Sequence, residues 1–236
     1  KPVETYSNFS AIKPKTRIAY LENYVNADGV QPEIKNKTLE IVEQLRKEGH
    51  TVEPVSFDLL DYLVPCYYVL TTAEASSNLS RYSGILYGYR SPNSTDLEST
   101  IKKSRSEGFG DEVKRRIMAG TFVLSSDYYD AYYSKAQKVR REISDQTKAL
   151  FANYDFVINP TTPTTAFELG GKITDPIAMY LADIFTVQAP LAGNPAINIP
   201  AGTDNNGMPI GVQVMTDLFK EKEMLDFAKY LSELIN

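Results

Sequence analysis

The feature that most constrains the fold is a strand–helix–strand pattern near the beginning of the sequence. Residues 17–21 (RIAYL) are a β-branched and aromatic run, which is typical of a strand. Pro32 stands where a helix can begin, because its missing N–H has no helical partner in the first turn. Gly49 suits the left-handed conformation that ends many helices, and residues 51–55 form a second strand. The connecting helix predicts that the two strands are parallel neighbours.

The middle of the sequence is predicted to be mainly helical. Residues 71–82 lack glycine and proline and are rich in Ala, Ser and Leu. Asp111 and Asp127 are each placed to cap a further helix. Between the helix at 71–82 and the one capped by Asp111, residues 89–110 are polar and interrupted by proline and glycine. They are therefore predicted to be a surface excursion or loop.

The last third returns to strands. Residues 156–158, 196–199 and 210–214 are predicted strands, and Asp-Asn-Asn-Gly at 204–207 is a hairpin-turn signal between the last two. Residues 220–235 place their apolar side chains on one helical face.

These elements predict the α/β class, with a mixed β-sheet flanked by helices. At about 100–200 residues per domain, 236 residues permit one large or two small domains. We expect residues 1–236 to form a single α/β domain. No apolar run approaches the ~20 residues that a membrane helix requires. The expectation is therefore a cytoplasmic protein with no membrane contact.

Composition limits the chemistry of this chain. The single cysteine, Cys66, excludes an intramolecular disulfide and a cysteine-based zinc site, and His50 is the only histidine. We therefore expect no metal centre. Neither a Gly-x-Ser-x-Gly nucleophile elbow nor a phosphate-binding glycine loop occurs in the sequence. A net charge of −5 argues against a strong unaided grip on nucleic-acid phosphates.

Two charged residues occur in surroundings that predict burial. Arg116 belongs to a run (KRRIM) that cannot lie wholly on one wet helical face, and Asp183 stands in a largely apolar stretch. A guanidinium and a carboxylate facing one pocket would suit a zwitterion, with the guanidinium on its carboxylate and the Asp on its ammonium group. The same pattern also fits two structural salt bridges or two solvated charges, and the residues alone leave these readings open.

A set of short motifs runs through the chain in a fixed order. They are EASSNLSRY at 74–82, Gly84, YGYR at 87–90, EGFG at 107–110, EVKRRIM at 112–118, YYDAYY at 128–133, KAQKVR at 135–140, PTTP at 160–163, a stretch at 175–180, DIFTV at 183–187, LAG at 191–193 and PAI at 195–197. In this combination the sequence resembles the amidase signature family and, within it, the branch of glutamyl-tRNA(Gln)-directed amidotransferases. The resemblance implies that residues 1–236 are the C-terminal part of an amidase signature fold.

The resemblance also implies a reaction. Members of this branch hydrolyse glutamine and release ammonia to a partner subunit, which holds the misacylated tRNA and activates its glutamate with ATP and magnesium. A third, small subunit braces the pair. The implied partners are thus glutamine and the amidotransferase subunits B and C, with tRNA contacted only through the partner and no cofactor held by this chain.

Catalysis in this family uses a nucleophilic Ser, a second Ser in a cis peptide, a Lys and a Gly/Ser-rich oxyanion loop. No Gly-Gly-Ser-Ser-Gly-like run occurs in this sequence. The resemblance therefore implies that these groups lie in a preceding half and that this chain alone is inactive, with no catalytic residue of its own. By position, Arg116 and Asp183 match the residues that hold the α-carboxylate and α-amino groups of glutamine, and Tyr67 matches a tyrosine at the substrate pocket.

The sequence departs from the usual family pattern at four positions. Ser83 and Leu86 stand where Asp and Arg are common, and Gln188 and Pro190 replace a Pro and an Asn. Two other functions remain open: a non-catalytic module that binds an amino acid or a partner, and part of a general amidase.

Overall fold

A five-stranded mixed sheet organises the first and last parts of the chain. The computed structural model describes residues 5–12, 15–168 and 182–235. The strands are β1 (Arg17–Leu21), β2 (Thr51–Val55), β3 (Phe156–Pro160), β4 (Ala196–Thr203) and β5 (Pro209–Met215), in the spatial order β2-β1-β3-β5-β4. β1 is parallel to β2 and β3, whereas β5 is antiparallel to β3 and β4. The predictions of a mixed sheet and of a parallel β1–β2 pair are confirmed.

Helices occupy most of the remaining described residues. They are α1 (Glu22–Val25), α2 (Pro32–Lys47), α3 (Leu60–Asn78), α4 (Leu97–Gly108), α5 (Asp111–Val123), α6 (Lys135–Asn153), α7 (Gln188–Ala192) and α8 (Glu221–Ile235), with a 3₁₀ turn at Leu79–Arg81 and a π-helix at Tyr129–Ser134. α2 begins at Pro32, and Gly49 follows it with φ of +90°, as the sequence predicts.

The main apolar core packs α2 and α8 against one face of the sheet. Ile158, Val212 and Val214 from the central strands meet Leu45 of α2 and Phe227 of α8, and all five are essentially inaccessible to solvent. Burial of large aliphatic and aromatic side chains is the main favourable term in folding, so this cluster fixes the sheet.

The chain divides into two compact units by its own contacts. Unit 1 comprises residues 1–64 and 140–236 and contains the sheet, whereas unit 2 comprises residues 65–139 and is helical. The single-domain prediction for residues 1–236 stays a prediction, since a compact unit can be part of a domain or a domain of its own.

Residues 89–110, predicted to be a surface excursion or loop, contain the helix α4 and are therefore not a plain loop. α4 begins after Asp96, whose carboxylate accepts the backbone N–H of Ser99, while the Ser99 hydroxyl accepts the backbone N–H of Asp96. This reciprocal capping box satisfies two backbone donors that have no helical partner. In the sequence this capping box is marked only by Asp96 and Ser99, two polar residues of a kind that is also common in loops.

Three further boundaries differ from the prediction. α3 begins at Leu60 rather than at residue 71 and continues through Pro65 in its second turn, where only one backbone hydrogen bond is lost. Gly110, not Asp111, occupies the N-cap of α5. The helix expected from Asp127 instead starts as the π-helix and becomes α-helical only at Lys135.

Candidate functional site

Arg116 lies on α5 and is held by a carboxylate one turn earlier on the same helix. Its Nε donates to Glu112 Oε1 at 2.9 Å, the i to i+4 spacing that places two side chains side by side. This hydrogen bond is the main cause that raises the pKa of Arg116 and lowers the pKa of Glu112. Within the described part of the chain, the two terminal nitrogens of Arg116 make no hydrogen bond.

An aromatic ring from α3 lies beneath the Arg116 guanidinium. The guanidinium carbon is 5.5 Å from the centroid of the Tyr68 ring, within the range of a cation–π contact. Tyr67 is half-buried and meets the Tyr68 ring edge-on, with centroids 5.5 Å apart. Both tyrosines lie close enough to contribute to the raised pKa of Arg116. The structure thus brings together Arg116 and Tyr67, two of the three predicted site residues.

Close packing between α3 and α5 fixes this arrangement. Gly120, one turn after Arg116, faces Thr72, one turn after Tyr68. A Cβ on Gly120 would collide with the carbonyl oxygen of Thr72 and lie 2.6 Å from the Ser76 Cβ. The hydroxyls of Ser76 and Thr121 are hydrogen-bonded at 3.0 Å beside this contact. A glycine is therefore required for the two helices to approach this closely.

The expectation that Arg116 and Asp183 are buried is wrong. The side chain of Arg116 is 39% exposed, and Asp183 lies exposed in a turn at residues 182–186. The apolar neighbours of Asp183 mislead because a turn points successive side chains in different directions. Phe185 takes the buried position, and Asp183 remains at the surface.

The turn that carries Asp183 is anchored to unit 1 by Phe185. The Phe185 ring stacks on Tyr24 at 5.0 Å, and its carbonyl accepts a hydrogen bond from Gln213 Nε2 at 3.0 Å. Within the turn, the Thr186 N–H and hydroxyl both donate to the Asp183 carbonyl oxygen at 3.0 Å. The backbone that presents Asp183 is therefore fixed on its C-terminal side.

Gln188 belongs to a buried network in unit 1. Its Oε1 accepts from the Tyr24 hydroxyl at 2.6 Å, and its Nε2 donates to Thr147 Oγ1 at 3.1 Å. Burial raises the pKa of Tyr24 well above its ordinary value, so the phenol stays protonated and donates. Pro190 lines an open cavity of about 360 Å³ together with Thr186 and Asn194.

The convergence of Arg116 with Asp183 stays a prediction. Arg116 and Tyr67 belong to unit 2 and Asp183 belongs to unit 1, and the geometry above concerns each unit by itself. Sequence reasoning missed Glu112 and Tyr68. Glu112 carries a recognisable signal, its spacing of four residues from Arg116, whereas Tyr68 reaches the site only through helix packing.

Neither a group of metal ligands nor a membrane-spanning helix is found among residues 5–12, 15–168 and 182–235. No three His, Cys, Asp or Glu residues there are grouped so as to hold a metal ion. Across the same residues, no helix combines the length and apolarity needed to cross a bilayer. The stretch 175–180, which contributes to the family resemblance, lies outside the described residues.

Curated relatives match this chain at high identity. The A subunit of glutamyl-tRNA(Gln) amidotransferase from Halothermothrix orenii is 50% identical over 220 residues, which cover 93% of this chain and 46% of that protein. The protein of the same name from Staphylococcus saprophyticus is 53% identical over 208 residues, covering 88% and 42%. The chain thus spans less than half the length of these relatives.

Solved structures agree with the sequence matches. The chain is similar to the crystal structure of the A subunit of glutamyl-tRNA(Gln) amidotransferase from Thermotoga maritima, with a TM-score of 0.68 and 39% identity over 91% of this chain and 41% of that one. A crystal structure named amidase shares the fold at a TM-score of 0.74 and 18% identity, covering 97% and 48%. The family model described as Amidase matches residues 1–225, and the chain therefore belongs to the amidase signature family.

Proposed function

We propose that this chain is the substrate-binding, C-terminal part of the glutamine-hydrolysing component of a glutamyl-tRNA(Gln) amidotransferase. About 50% identity to proteins of that name, over most of this chain, supports the proposal. The ammonia released from glutamine would serve the transamidation of Glu-tRNA(Gln).

The single observation that carries the proposal is the state of the Arg116 guanidinium. Glu112 engages its Nε, Tyr68 lies beneath its plane, and its terminal nitrogens make no hydrogen bond within the described residues. A guanidinium presents two parallel donors that match a carboxylate, and such charge-assisted pairs are the strong ones. Arg116 would hold the α-carboxylate of glutamine.

Asp183 and Tyr67 complete the proposed grip on the substrate. The Asp183 carboxylate would bind the α-ammonium group, and Tyr67 would line the pocket. The three side chains would orient glutamine so that its side-chain amide meets a Ser supplied elsewhere in the same polypeptide. Orientation of this kind accelerates a reaction by converting an encounter into a prearranged contact, and it needs the nucleophile to be present.

The proposal extends to the assembly. Amidotransferase subunits B and C are the proposed partners, and tRNA would be contacted only through the partner that activates it. That partner would use ATP and magnesium, so no cofactor is assigned to this chain. The cytoplasm is the proposed location.

The test is glutaminase kinetics in a complete amidotransferase that carries this sequence. Arg116→Ala and Asp183→Asn each remove a charge-assisted hydrogen bond worth about 1.5–3 kcal/mol, so kcat/KM for glutamine should fall about 10- to 150-fold. Lys114→Ala removes a cation that pairs with Asp111 on the same helix, and Asp28→Asn alters another exposed carboxylate in a turn. Both controls should stay within about twofold, as expected for surface changes.

Two results would contradict the proposal. Unchanged glutamine turnover in both site variants would show that these residues do not bind the substrate. Faster turnover of small aliphatic amides than of glutamine by the complete protein would instead favour a general amidase.

A further inference from the structure

Glu112 contacts two arginines at the start of α5. Its Oε1 accepts from Arg116 Nε at 2.9 Å, and its Oε2 is paired with Arg115. We infer that Glu112 is a positioning residue that orients the Arg116 guanidinium for an amino-acid carboxylate, an inference that rests on the proposed function.

The geometry of the guanidinium supports this role. Arginine can bind a carboxylate through its two terminal nitrogens, or through Nε and one terminal nitrogen. Glu112 occupies Nε, which leaves the pair of terminal nitrogens as the available fork. The direction from which a ligand carboxylate approaches is therefore set by Glu112.

Two further contacts hold the Arg116 guanidinium in this orientation. Tyr68 supports its face at 5.5 Å, and the close approach of α3 to α5 at Gly120 keeps that ring in place. Arg115 holds the second oxygen of Glu112, so the carboxylate is fixed at both oxygens. An arginine ordered before the ligand arrives loses less side-chain entropy on binding.

Charge balance keeps the site receptive to one carboxylate. Glu112, Arg115 and Arg116 together carry a net charge of +1. A carboxylate from the ligand would bring the group to neutrality, whereas Arg116 paired with Glu112 alone would already be neutral. Arg115 thus compensates for the carboxylate that positions Arg116.

The experiment compares Glu112→Ala with Asp111→Ala in the complete amidotransferase, with glutamine as the probe. Asp111 is a matched control because it also lies in the first turn of α5, but it pairs with Lys114 at 3.6 Å and its side chain is 93% exposed. Glu112→Ala should raise KM about 2- to 12-fold, the value of ordering one flexible side chain, and leave kcat within about twofold. Asp111→Ala should change neither constant by more than about twofold.

Rescue separates positioning from a general effect on the helix. Glu112→Gln keeps a carbonyl oxygen that can accept from Nε, so it should recover part of the lost affinity. In an Arg116→Ala background, Glu112→Ala should add no further rise in KM, because its effect acts through Arg116. An additional rise of the same size in that background would overturn the inference.

The remaining outcomes distinguish this inference from the proposed function. If Arg116→Ala raises KM while Glu112→Ala behaves like Asp111→Ala, the positioning role fails and the proposed function stands. If Glu112→Ala lowers KM, Glu112 competes with the substrate and the inference is overturned. If Arg116→Ala has no effect, the inference fails, and the proposed function fails as well when Asp183→Asn is also without effect.

Discussion

The interior of unit 1 and the interior of unit 2 are built from different kinds of side chain. Unit 1 buries large side chains such as Phe227, Ile158 and Leu45 in one cluster around its sheet. The buried residues of unit 2 are small, and they are Cys66, Thr72, Ala73, Gly84, Ser91, Thr100, Ser104, Gly120, Val123 and Ala136. Unit 2 therefore depends on close backbone approach and hydroxyl hydrogen bonds, while its larger apolar side chains remain partly exposed.

The charge of the units differs as well. Unit 2 has ten basic and eight acidic residues, a net charge of +2, whereas unit 1 accounts for the remaining −7. The proposed carboxylate-binding arginine thus lies in the cationic unit, although the whole chain is acidic. A whole-chain net charge conceals this difference, so recognition of an anion has to be judged locally.

Replacing one phenylalanine by alanine in each unit should give the largest difference in the loss of unfolding free energy. Phe227 is inaccessible to solvent and stacks on Phe156 at 4.1 Å, whereas Phe122 of unit 2 is 45% exposed. Phe227→Ala should lower the free energy of unfolding by about 3–5 kcal/mol through a large cavity in a close-packed core. Phe122→Ala should cost about 1 kcal/mol, mainly through its lost ring contact with Tyr128 at 4.2 Å.

Urea unfolding combined with amide hydrogen exchange measures both variants. Exchange should accelerate across the sheet in Phe227→Ala and only near the α5 end in Phe122→Ala. Equal losses from the two truncations would refute the contrast drawn between the units.

A single added methyl group should reveal how unit 2 is packed. Gly120→Ala places a Cβ against the Thr72 carbonyl, so α3 and α5 must separate, at a cost of about 1–3 kcal/mol. Ala119→Ser adds one heavy atom at an exposed position of the same helix and should cost about 0.5 kcal/mol or less. The difference between their urea unfolding free energies is the measurement, and a stabilising Gly120→Ala would disprove the close contact.

The smallest expected effect is a pH dependence in unit 1. His50 is buried beside Tyr230, with Nε2 3.0 Å from its hydroxyl, and burial lowers the pKa of His50 although Glu48 opposes the shift. The unfolded chain therefore takes up this proton first as pH falls. Stability should decline as pH falls below about 6.5 toward the folded-state pKa, and the loss is complete below that value.

The single imidazole makes this prediction easy to check. Its proton NMR titration should give a pKa below that of a histidine peptide measured under the same conditions. His50→Gln should remove the part of the pH dependence of unfolding that arises in this range. A titration at or above the peptide value would contradict the assigned burial effect.

The sheet region was largely predictable from the sequence. Pro32 and Gly49 act through their own backbone constraints, so they mark the ends of α2 without reference to the rest of the fold. The hairpin turn at 204–207 is equally local, and the structure confirms it with a hydrogen bond from the Gly207 N–H to the Asp204 carbonyl. Strong local preferences of this kind agree with the tertiary structure in unit 1.

Unit 2 was less predictable because its structure depends on contacts between helices. Neither the start of α3 before Pro65 nor the π-helix at Tyr129–Ser134 follows from periodicity. At the candidate site, Arg116 and its partner Glu112 could be paired from their spacing, but Tyr68 becomes a neighbour only because Gly120 lets α5 approach α3. The exposed position of Asp183 likewise depends on Phe185 filling the buried place.

The network at Gln188 has a consequence for exchanging segments between homologous proteins. Tyr24 and Thr147 lie far from Gln188 along the chain, yet each forms a hydrogen bond with its amide. A chimera that takes residues 183–193 from a homologue with proline at position 188 would lose the Gln188 amide. The buried hydroxyls of Tyr24 and Thr147 would then lack their hydrogen-bond partner, at a cost of about 1–3 kcal/mol each. The three positions must therefore be transplanted as a set.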